Sequence, residues 1–219
     1  LAQLLASESR DRSPGDRQAL FAVLTERIAR CVRSTDPAVA LSGVLAIDEL
    51  VDSEAIGDRA TALTQLAELL QTPLECKGQQ AIVSQAAATL GKLVLVGGGM
   101  TADVVEQTVQ RALENLRPEK SPALRVASAL VLSEMARNSP AVFNVHVRSF
   151  IEHIWHVLRD ESRALRYVGM EALRECLRVV EKRETRYRVQ WYYRLFEETT
   201  RGLQERSAPA VIHGSLLAM

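Results

Sequence analysis

SPALRVASALVLSEMARN, residues 121–138, and SRALRYVGMEALRECLRVV, residues 162–180, are two versions of one helical pattern to which the rest of the chain aligns. In the first, Leu124 is followed by Ser128, Val131 and Leu132. In the second, 41 positions later, Leu165 is followed by Gly169, Ala172 and Leu173. The rule is an apolar residue, a small residue four positions on, and an apolar or small pair at seven and eight. All of these places fall on one face of an α-helix. Run backwards, the rule selects Ile82, Ala86, Thr89 and Leu90, then Val39, Gly43, Ala46 and Ile47; run forwards, it selects Val211, Ser215, Ala218 and Met219.

The anchors Val39, Ile82, Leu124, Leu165 and Val211 are 43, 42, 41 and 46 residues apart, the period of helix-pair repeats of the HEAT or armadillo type. The small residue marks where a helix lies so close to its neighbour that a larger side chain would hold the backbones apart. The spacing predicts an all-α fold, an α-solenoid of the HEAT type with about five antiparallel helix pairs. Residues 1–15 stand outside the pattern as an N-terminal extension of unknown role. Residues 16–219 form the repeat region; the chain opens at Leu1 without an initiator Met and stops within the fifth repeat, which reads as a fragment.

Composition sets further limits. Lys plus Arg equals Asp plus Glu at 27 each, so nothing draws the chain generally to nucleic acid or to an anionic membrane. The longest purely aliphatic run, Leu93 to Val96, is far short of the roughly 20 residues of a membrane span, which predicts a soluble chain. Cys31, Cys76 and Cys176 are odd in number and widely spaced, which suits buried thiols in a reducing compartment rather than a disulfide framework.

In chain order, Ser13-Pro14-Gly15 reads as a break before a first helix that runs to about Ser34. Asp36-Pro37 reads as a cap and first position of the second. A third helix, Arg59 to Gln71, is broken at Thr72-Pro73, and a fourth runs from about Gly78 to Val96 and ends at Gly97-Gly98-Gly99. Those glycines lack the GK[ST] and GxGxxG contexts of phosphate loops and read as a turn. Thr101 caps the fifth helix, Ser121-Pro122 starts the sixth, and Ser139-Pro140 starts the seventh. The seventh carries the stripe Phe143, Val147, Phe150, Ile151, Ile154 and Leu158. Nine of the ten aromatics lie between Phe143 and Phe196, which predicts the bulkiest core in the last two pairs.

A family resemblance is carried by particular residues. Asp160 with Arg166, and more loosely Glu119 with Arg125, match the acid and arginine that form a ladder between neighbouring HEAT units. Asp36 with Ser42 and Lys77 with Val83 do not. Gly43 to Ile47, Val109 to Leu113, Ala129 to Glu134, Ala172 to Leu177, Gln190-Trp191-Tyr192 with Phe196-Glu197-Glu198, and Ile212 to Leu217 come in the order of the N-terminal HEAT region of the target of rapamycin (TOR) kinases. From about Ala38 to Met219 the chain resembles that family. The resemblance implies a non-catalytic, cytoplasmic scaffold segment of a nutrient-signalling serine/threonine kinase. Its implied partners are proteins: Raptor-like accessory subunits, other parts of the parent kinase and a second protomer. A generic HEAT adaptor, of the phosphatase-scaffold or transport-receptor type, is the competing reading.

No catalytic, cofactor-binding or metal site is expected, and the segment itself is not expected to be an enzyme. Glu152-His153 with His156 lacks the HExxH spacing, and His146, His153 and His156 fall on the flank of the buried stripe as boundary histidines. Arg159 to Arg188 holds nine basic residues but also six acidic ones, the pattern of a solvated helix surface rather than a nucleic-acid site.

Overall fold

The computed structural model describes residues 13–52, 58–75, 79–183, 188–204 and 206–219. Residues 1–12 of the N-terminal extension, Cys76, Lys77 and Tyr187 are not among the described residues. The fold is all-α, with no strand among the described residues, and its helices follow one another in pairs as in a HEAT-type α-solenoid. They are α1 (Pro14–Val32), α2 (Pro37–Val51), α3 (Arg59–Glu75), α4 (Gln80–Gly97), α5 (Ala102–Asn115), α6 (Pro122–Asn138), α7 (Pro140–Phe143), α8 (Val147–Leu158), α9 (Arg163–Arg183), α10 (Arg188–Gly202) and α11 (Pro209–Leu217). Two 3₁₀ turns, Gly98–Thr101 and Asn144–His146, interrupt the series. Two compact units divide between Val104 and Val105.

In the first unit α1 packs on α2 and α3 on α4, while α2 stacks on α4 and α1 on α3. Local chemistry sets the starts. The Asp36 carboxylate accepts the Ala38 N–H at 2.9 Å, with Pro37 at the position that needs no donor. Ser13-Pro14 is a start rather than a mere break: Ser13 Oγ accepts the Asp16 N–H at 3.3 Å and donates to the Asp16 carboxylate at 2.8 Å. Two expectations fail. Helix α3 does not stop at Thr72-Pro73 but continues to Glu75, because Pro73 and Leu74 are buried and their packing outweighs one missing backbone hydrogen bond. Thr101 does not cap α5; its hydroxyl donates backwards to Gly98 O at 3.0 Å and to Val94 O at 3.4 Å, closing the end of α4. Gly98, at φ +52, makes the turn that ends α4, a conformation glycine adopts without steric cost.

The stretch Gln80–Asn115 is long and apolar enough, by length and composition, to cross a membrane. Its α4 portion, however, buries Ile82, Val83, Ala86, Leu90, Leu93 and Val94 inside the first unit, as a core helix does.

In the second unit α6 lies along α9, α8 packs on α9, and α11 packs on α10 while touching α8 and α9. The expected stripe is buried throughout, from Phe143 and Phe150, whose rings meet edge to face at 5.6 Å, to Leu158. Each fully buried side chain of this kind contributes about 1.5–3 kcal/mol of transfer free energy. The 3₁₀ turn at Asn144–His146 splits what the sequence reads as one helix from Ser139-Pro140 onward.

The repeat rule is most faithful at its small residue. Gly43, Ala86, Ser128, Gly169 and Ser215 are all buried. The anchors are less uniform: Ile82 and Leu165 are buried, Val39 is 38% exposed, and Leu124 and Val211 are half-buried. A Cβ on Gly43 would lie 2.8 Å from Val32 N, and one on Gly169 would lie 2.7 Å from Val157 Cγ1, so both glycines sit at helix crossings with no room for a methyl.

Candidate protein-interaction surface

Neighbouring repeats are tied by side chains roughly one period apart. In the first unit Lys92 of α4 reaches Asp48 and Asp52 of α2, each at 2.8 Å, and Thr89 donates to Asp48 at 3.1 Å. Burial pulls the Lys92 ammonium down, but hydrogen bonds and charge from Asp48 and Asp52 outweigh it, and the net displacement is upward.

In the second unit the ties are denser. Arg125, buried at the start of α6, donates to Asp160 Oδ2 at 2.5 Å, to His156 O at 2.6 Å and to Leu116 O at 3.3 Å. Arg166, one repeat later, donates to Asp160 O at 2.6 Å, to Glu161 O at 2.9 Å and to His213 Nδ1 at 3.0 Å. Asp160 and Arg166 therefore do meet, through the Asp160 carbonyl, while the Asp160 carboxylate serves the arginine of the preceding repeat. Arg125 does not take Glu119 as its hydrogen-bonded acid; the turn after α8 supplies it instead. On the same helices Glu175, only 3% exposed, accepts from Arg137 and Arg178 at 3.2 and 2.7 Å. Burial raises the Glu134 carboxyl above its ordinary range, against the pull of Arg137.

Several arginines of the basic stretch are thus committed. Arg166 is buried, Arg159 meets Glu198 at 3.0 Å and stacks 4.8 Å from the Trp155 ring, and Arg174 and Arg178 pair with Glu171 and Glu175. The histidines are spread over separate tasks. His146 Nε2 lies 2.7 Å from Glu106, whose carboxyl that contact lowers; His153 Nδ1 lies 2.7 Å from Ser149 O; burial lowers the His156 imidazole, helped by His153 and Arg125. Among the described residues no cluster of three or more potential metal ligands occurs.

The surface itself is most distinctive on α10. The solvent faces of α5 and α8 are polar, with Asp103, Gln107, Gln110, Arg111 and Glu114 exposed on α5, and Arg148, Glu152 and His156 on α8. Helix α10 buries Leu195, Thr199 and Gly202 on one face and exposes Val189 (76%), Tyr193 (64%) and Phe196 (65%) on another. The expectation that the aromatics give the last two pairs the bulkiest core fails for Tyr192, Tyr193 and Phe196, because α10 has one buried stripe and Leu195, not these rings, occupies it. On a different side of α10, facing α8, run a groove of about 400 Å³ lined by Val145, Val147, Arg148, Trp191 and Arg194 and one of about 560 Å³ lined by Trp155, His156, Arg159 and Glu198; Val189, Tyr192, Tyr193 and Phe196 line neither. The sequence signal for the second face was available: Val189, Tyr192, Tyr193, Phe196 and Leu203 form a stripe of their own, distinct from Trp191, Leu195 and Gly202.

No family model matches the chain. Among curated proteins, the serine/threonine-protein kinase TOR of Arabidopsis thaliana is 44% identical over 210 residues, which take in 96% of this chain and 8% of the relative. Its namesake in Oryza sativa subsp. japonica is 42% identical over 219 residues, 100% of this chain and 9% of the relative. The chain is related to the N-terminal HEAT region of the TOR kinases. The kinase tor1 of Schizosaccharomyces pombe extends the match to fungi, at 31% identity over 195 residues, 89% of this chain and 8% of the relative. The TOR-related chain spans less than a tenth of the length of these relatives and corresponds to a non-kinase part of them.

Proposed function

We propose that this segment is a non-catalytic HEAT scaffold of a cytoplasmic, nutrient-signalling TOR kinase, supporting dimerisation and the docking of Raptor-like accessory subunits. The carrying observation is that TOR kinases match 96–100% of this chain at 42–44% identity. The apolar face of α10 supports it, since exposed aromatics grouped on one helix are characteristic of contact surfaces. Deleting residues 16–219 from the full-length protein should leave phosphotransfer by the kinase domain on a short peptide intact while lowering the mass of the purified assembly, read by mass photometry. An assembly of unchanged mass and subunit content would refute the scaffold role.

A further inference from the structure

Trp155, in the last turn of α8, is only 6% exposed, and its buried indole N–H has no acceptor among the described residues. The Nε–H of Arg159, one turn further on, is also buried and unpartnered, and its guanidinium lies over the Trp155 ring at 4.8 Å. A buried tryptophan N–H usually finds a partner, and a buried donor left without one forfeits a hydrogen bond that water supplies in the unfolded chain. Two such donors on one turn of one helix therefore point to an acceptor that the segment itself does not provide.

Both residues line the groove of about 560 Å³ between α8 and α10, a size within the range of ligand clefts. Its charges decide what can enter. Arg125 already holds Asp160 at 2.5 Å, Arg194 holds Glu152 at 3.2 Å and Arg159 holds Glu198 at 3.0 Å. Burial, helped by His153 and Arg125, keeps the His156 imidazole toward its neutral form. An incoming phosphate or carboxylate would have to break one of the three ion pairs to gain a cation. An uncharged acceptor breaks none of them and meets the two idle N–H groups.

We propose that this groove binds an extended peptide segment of a partner protein, whose backbone carbonyls accept from Trp155 Nε1 and Arg159 Nε. The class of occupant, a protein segment, rests on the scaffold reading; the uncharged acceptor rests on the groove alone. A backbone carbonyl is the acceptor that every such segment carries and must satisfy once buried. Both donors are shut off from water, so their solvent partners are already lost; a small shift of the Arg159 side chain, which is 26% exposed, brings a carbonyl oxygen to them.

Panning a displayed library of short linear peptides of random sequence against the 219-residue chain tests this. A selected peptide should move the Trp155 indole N–H resonance downfield and leave that of Trp191, which lines the neighbouring groove, in place. It should bind about tenfold more weakly to Trp155→Phe, which keeps a ring and removes the donor. The scaffold reading is tested by assembly mass and this site by one indole resonance, so either can fail without the other. Should Trp155→Phe disturb the unit, seen as altered amide exchange in α9, the Trp155 resonance of the unaltered chain decides alone. No enriched peptide, or binding that leaves that resonance in place, overturns the proposal. So does undiminished binding to an undisturbed Trp155→Phe, or binding lost when the peptide's acidic side chains are replaced by amides, which would make the recognised group an anion.

Discussion

Replacing Gly43 by Ala tests whether the small residue of the repeat is there for packing. In an unobstructed helix the change gains up to about 1 kcal/mol, because Ala is the better helix former. At Gly43 the new methyl would lie 2.8 Å from Val32 N, 2.9 Å from Val32 Cγ2 and 3.0 Å from Cys31 Cβ. Comfortable carbon contacts are about 3.5–4.0 Å, so α1 and α2 must separate by roughly 0.5–1 Å. One of the obstructing atoms is backbone and another belongs to a β-branched side chain, and neither rotates away. Overpacking of this kind costs about 1–3 kcal/mol, which leaves a net loss of up to about 2 kcal/mol after the propensity gain. Gly15→Ala is the matched control, since its Cβ would meet only Ser13 Oγ, at 3.9 Å, and it should be neutral or stabilising. Both tryptophans, Trp155 and Trp191, lie in the second unit, so exchange of α2 amides is the appropriate readout. If Gly43→Ala slows that exchange as much as Gly15→Ala does, the close-approach reasoning is wrong.

Arg125→Met removes the cation from a pair whose side chains are 5% and 22% exposed and strips three acceptors of their donor; it should cost about 3–5 kcal/mol, visible in urea unfolding followed by tryptophan fluorescence. Leu195→Ala should cost about 2–5 kcal/mol by emptying the buried stripe of α10, whereas Tyr193→Ser on the opposite face should stay within about 0.5 kcal/mol; equal losses would contradict the assignment of faces. Burial pushes the Cys176 thiol far above its ordinary range, so iodoacetamide at pH 8 should label it only after denaturant is added, and labelling of the folded chain, read by peptide mass, would show that α9 opens. The folded chain should bind no ATP at micromolar concentration in calorimetry, since it carries no phosphate-binding glycine loop; saturable binding would contradict the non-kinase assignment.

The sequence by itself determined the features that depend on neighbours along the chain. Ser13, Asp36 and Ser121 start helices because a cap and a following proline act within one turn. The burial of Gly43, Ala86, Ser128, Gly169 and Ser215 follows from a period that places a small residue on the packed face of each second helix. Tertiary structure decided whatever depends on groups about 40 residues apart. That Asp160 serves Arg125 while its carbonyl receives Arg166, and that His213 rather than a carboxylate meets Arg166, are properties of one repeat laid against the next. Helix α10 carries two apolar stripes, and its own sequence does not say which of them the unit covers. Pro73 remains helical for the same reason: the local rule predicts a stop, and burial of Pro73 and Leu74 against the rest of the unit supplies more free energy than the lost hydrogen bond removes.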